Sequence, residues 1–86
     1  MDVEGMSEAV EVIQVSLVVE GPIISDFKGF EQGAKFEFSN GQVWEQNENK
    51  YSHHYANRPH AIIVNGIEGF QLKVDGIAEP IRVRKI

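Results

Sequence analysis

Apolar and polar positions alternate with a period of two in several short stretches of this chain, the pattern of half-buried strands. The clearest run is 69–75, GFQLKVD, with Phe70, Leu72 and Val74 on one face and Gln71, Lys73 and Asp75 on the other. Residues 81–86, IRVRKI, place Ile81 and Val83 inward and Arg82 and Arg84 outward. Residues 60–64, HAIIV, read as a strand that ends at Asn65-Gly66. The organising stretch is 34–46, AKFEFSNGQVWEQ, which reads as a β-hairpin. Phe36 and Phe38 alternate with Lys35, Glu37 and Ser39, and Asn40-Gly41 is the strongest short-range turn signal.

That hairpin has two readings. A two-residue Asn40-Gly41 turn sets Trp44 opposite Glu37, on the face away from Phe36 and Phe38. A three-residue Ser39-Asn40-Gly41 turn with a bulge sets Trp44 beside Phe36, on the core face.

Residues 9–19, AVEVIQVSLVV, carry both periods. Val3, Met6, Val10, Ile13 and Leu17 fall at helical spacing, while Ile13, Val15, Leu17 and Val19 alternate. The density of β-branched residues favours a strand. Gly21-Pro22 interrupts it, and residues 23–27 form a second short strand or continue the first past a bulge. Residues 28–33, KGFEQG, read as a turn-rich loop, and 47–59, NENKYSHHYANRP, as a long polar loop without periodicity. Residues 1–8 read as a flexible acidic terminus. Residues 9–86 read as one all-β domain, a small five- to six-stranded barrel of SH3-like type. An OB-like barrel or a small β-sandwich is the alternative.

Composition narrows the function classes. A chain of 86 residues has a small core, and without cysteine it has no disulfide or thiolate metal site to support it. The formal charge is −5, and residues 1–48 hold ten of the 13 acids but two of the eight bases. An acidic balance argues against a general nucleic-acid surface. No apolar run approaches the ~20 residues that span a membrane. The N-terminus has neither the basic start nor the apolar stretch of a signal peptide.

The run 29–46, GFEQGAKFEFSNGQVWEQ, resembles a small bacterial domain family marked by a Gly-aromatic-x-x-Gly turn and an NGQVW-x-Q hairpin. The ending GIEGFQLKVDGIAEPIRVRKI is similar to that family's terminal strands. The resemblance covers roughly residues 17–86 and implies a small β-barrel. It also implies an exported, periplasmic setting, since many members follow export signals. It brings no established site or activity.

The aromatic group of Trp44, Tyr51 and Tyr55 is the leading candidate for chemistry, because Tyr and Trp combine a large apolar face with a polar tip. The plainer reading of Trp44 is a core residue. His53, His54 and His60 lie close enough in sequence to suggest a metal site, yet adjacent residues on an extended segment point apart, so no metal or other cofactor is expected. Arg82 and Arg84 share a strand face suited to an acidic group, or to cross-strand pairing with acids of the chain. Thiol nucleophiles are excluded, no G-x-S-x-G or G-x-G-x-x-G pattern occurs, and Ser52 beside His53 is adjacency only. These residues predict a non-enzymatic, monomeric binding module. Its candidate ligand-binding residues are Trp44, Tyr51, Tyr55, His53, Arg82 and Arg84, and its partner is a peptide, a glycan or a protein surface. A single-stranded nucleic-acid binder and a purely structural domain are the alternatives.

Overall fold

A computed structural model of the chain describes residues 16–86. The expected acidic terminus at 1–8 and the first part of the strand expected at 9–19 lie outside the described residues. Eight strands run in chain order: β1 (Ser16–Pro22), β2 (Phe27–Phe30), β3 (Lys35–Glu37), β4 (Val43–Gln46), β5 (Ser52–Ala56), β6 (His60–Gly66), β7 (Gly69–Val74) and β8 (Ile81–Lys85). There is no helix among the described residues. Six strands make an antiparallel sheet in the order β1-β6-β7-β8-β4-β3, and β2 and β5 pair separately as a two-stranded ribbon.

The outer strands of the sheet approach each other without closing it. One bridge joins Ile23 to Phe38, Ile24 N–H donates to Glu37 O at 2.7 Å, and Ser39 N–H donates to Pro22 O at 3.3 Å. The sheet is therefore all-β and six-stranded, but it is not a closed barrel. Against the five or six strands expected from the sequence, the described residues hold eight.

The hairpin resolves to the bulged register. Phe36 faces Trp44, Lys35 faces Glu45 and Glu37 faces Val43. Phe38 N–H donates to Gln42 O and Gly41 N–H to Phe38 O, so Ser39, Asn40 and Gly41 form the loop. Gly41 sits at φ +90°, where a side chain would be strained. Trp44 is consequently 1% exposed, with its ring 5.1 Å from that of Phe70 and its Nε1 donating to Gln42 Oε1.

Alternation places the rest of the core as expected at β7 and β8, where Leu72, Val74, Ile81 and Val83 are buried. It misleads in β1. Leu17 pairs with Val64 and Val19 with Ile63, so Val18 is an extra residue that turns Leu17 and Val19 to opposite faces. Val19 is buried, and Leu17 is 58% exposed rather than inward.

Residues 28–33, read from the sequence as a loop, hold all of β2 but Phe27, and 47–59, read likewise, hold β5. Phe27 and Phe30, three apart, both reach the core because the register shifts between Phe27 and Gly29, and Gly29 takes φ +118°. Their rings lie 5.8 Å apart and pack on Phe36 at 6.0 and 6.2 Å. The strand expected at 23–27 reduces to the bridge at Ile23, and β6 runs on through Gly66, so its turn is Ile67-Glu68.

Candidate functional site

The site is built on β5, the strand that the polar sequence concealed. His54 turns inward, its ring 6.4 Å from Phe27, and Ala56 is half-buried against the core. Tyr51, His53 and Tyr55 stay exposed, and a bulge sets His54 and Tyr55 together against Lys28. Tyr51 is 72% exposed and Tyr55 is 74% exposed. Three of the six residues singled out from the sequence thus come together.

A groove of about 400 Å³ opens beside Tyr51 and His53. Tyr51, Ser52 and His53 form one wall, Gly29 and Phe30 the floor side, and Lys28, Lys35, Asp26 and Glu31 bring charge of both signs. A second hollow of about 220 Å³ lies at the other end of the strand, between Tyr55, Arg58 and Asp26. Gly29 makes the arrangement possible. A Cβ there would stand 2.7 Å from His54 N and 3.0 Å from His53 Cα, so β5 lies tight against β2 only because that carbon is missing.

The remaining candidates lie elsewhere. Trp44 is interior and offers no face to a partner, a correction to its place among surface residues; the bulged turn is the reason. Arg82 and Arg84 lie on β8 and line neither hollow. Arg84 is engaged by Glu45, 2.9 Å from Nε and 2.7 Å from Nη2. The hydrogen bonds from Arg84 hold the Glu45 carboxyl below its ordinary pKa, helped by the charges of Arg84 and Lys35 and opposed by desolvation. Lys35, 3.8 Å from Glu45, connects this pair to the rim of the larger groove. Arg82 donates its backbone N–H to Glu48 Oε1.

The histidines diverge. His53 and His54 face opposite sides of β5, and His60 Nε2 lies 3.3 Å from Glu20 Oε2. Among the described residues no three His, Cys, Asp or Glu side chains converge as a metal site. Ser52 and His53, as strand neighbours, project to opposite faces and make no nucleophile–base contact. No helix of the described residues is long and apolar enough to cross a membrane.

Lys28, Gly29, Asp26, Glu31 and Lys35 were not singled out from the sequence. Their one signal was Gly29 between two phenylalanines, since glycine in an apolar segment marks close backbone approach. The chain matches no family model, curated protein or solved structure with which it was compared.

Proposed function

We propose that this protein is a non-catalytic binding module whose recognition surface is the outward face of β5 with the adjoining groove. Its carrying observation is Tyr51 and Tyr55, two large aromatic side chains held in water along β5 and its approach, Tyr51 lining the larger hollow and Tyr55 the smaller. Ordered aromatics lose little conformational freedom on binding and offer both a flat apolar surface and a hydroxyl. His53, between them, adds a hydrogen-bonding ring. The mixed charges of Lys28, Lys35, Asp26 and Glu31 suit a neutral or zwitterionic ligand better than a polyanion.

In this reading the sheet is a small open barrel of SH3-like kind. The bridge between Ile23 and Phe38, which brings β1 round to β3, supports it. The resemblance of the 29–46 stretch to small bacterial β-barrel domains agrees with the same reading.

The test is a peptide array and a glycan array, each probed with wild-type protein and with the double variant Tyr51→Ala, Tyr55→Ala. Both tyrosines are exposed, so the variant should fold with stability within about 0.5 kcal/mol of wild type. Ligands bound by wild type and lost in the variant are expected. Arrays without ligands, or ligands kept by the folded variant, would overturn the proposal.

A further inference from the structure

The ribbon leaves the outer edge of β5 without a strand partner among the described residues. Free edges offer a row of backbone donors and acceptors, and proteins usually guard them with charge, proline or shortness. The other edge strands here are guarded. β1 carries Glu20 and Pro22, β3 is three residues long with Lys35 and Glu37 exposed, and β2 exposes Lys28. β5, Ser52–Ala56, has five residues and contains no Lys, Arg, Asp, Glu or Pro; its one irregularity is the bulge at His54–Tyr55 opposite Lys28.

We infer that β5 is a docking edge for an extended, uncharged segment of a partner polypeptide, which adds to the β2–β5 ribbon as its third strand. This rests on the binding reading above and names its ligand class. Absence of charge on β5 selects an uncharged segment, because nothing on the strand would compensate a buried Lys or Glu opposite it. Tyr51 and Tyr55, four residues apart, stand at most about 13 Å apart at the rise of a strand, and less where β5 bulges. Alternate side chains of the added strand fill the spaces beside Tyr51, His53 and Tyr55, while main-chain hydrogen bonds supply the docking.

The experiment uses the full chain, ¹⁵N-labelled, with the capped heptapeptide Thr-Val-Thr-Tyr-Thr-Val-Thr as probe. Two analogues are N-methylated on the even or on the odd amides, which blocks one edge of the peptide and leaves its side chains in place. The expected result is saturable binding, amide-exchange protection at 52–56, and about tenfold or greater loss of affinity for one analogue only. No saturable shift at about 1 mM peptide, or protection elsewhere in the chain, overturns strand addition. Equal binding of all three peptides, lost in the Tyr51→Ala, Tyr55→Ala variant, overturns it while sparing the recognition face. Protection of 52–56 that grows with protein concentration without peptide assigns the edge to a second copy and overturns the partner-segment proposal. Glycan binding that leaves exchange at 52–56 unchanged overturns it too.

Discussion

Arg84 holds one oxygen of Glu45 with two donors, Nε at 2.9 Å and Nη2 at 2.7 Å, across the β4–β8 ladder. The carboxyl titrates below its ordinary 4.5 because the charged form is the one these donors favour. The unfolded chain therefore takes up the proton first. Stability from this pair is complete above the unfolded value and is lost as pH falls through the folded one. Glu45→Gln should lose less stability than wild type between about pH 5 and about pH 3. Urea midpoints at the two pH values check this, and equal losses in the two proteins would refute the linkage.

Trp44, packed on Phe70, should emit at short wavelength and resist acrylamide until urea unfolds the chain. Trp44→Ala should cost about 3–5 kcal/mol, most of what a domain of this size has to spare. Readily quenched, red-shifted emission from the folded protein would contradict the bulged register.

Gly29→Ala should separate β5 from β2. The new methyl would meet the Ser52 carbonyl and the His54 amide at a φ that side chains rarely adopt. A loss of at least about 2 kcal/mol is expected, with faster amide exchange at 52–56 than in β7. Unchanged exchange there would mean that the ribbon tolerates a side chain and is looser than described.

Gln46 is 2% exposed, and its Nε2 donates to the carbonyls of Glu48 and Lys50, both at 2.8 Å. Gln46→Met keeps the volume and removes both donors, so a loss of about 1–3 kcal/mol is expected. Thermal unfolding of the variant measures it. A smaller loss would mean that the 47–50 turn is held by the Lys50–Glu79 pair instead.

Much of the sheet was legible because period-two alternation reports a strand with one face buried. That condition holds for β7 and β8, where Phe70, Leu72 and Val74, then Ile81 and Val83, line up as written. It fails for β5, whose burial is shallow, so SHHYA carries no apolar rhythm and forms a strand only because β2 pairs with it. It fails for β1 for another reason, since one extra residue at Val18 reverses the faces that alternation assigns. Trp44 hung on whether Gly41 made a two- or three-residue loop, a choice set by backbone dihedrals that composition leaves open. Tyr51, His53 and Tyr55 were readable as a group, but the groove was not. Its charged walls come from β2 and β3, brought to β5 by a glycine contact.

In the strand order, β8 lies between β7 and β4, so a strand later in the chain than either separates two hairpins made earlier. The β3–β4 and β6–β7 hairpins need only local contacts, whereas Trp44 must wait for Lys85 and Leu72 for Ile81. Assembly thus waits until β8 has been made, and the hairpins until then are two half-sheets with a vacant lane between them. Such long-range closure slows folding, and it makes the IRVRK strand a natural seam for splitting the protein in two and restoring it by adding the missing piece.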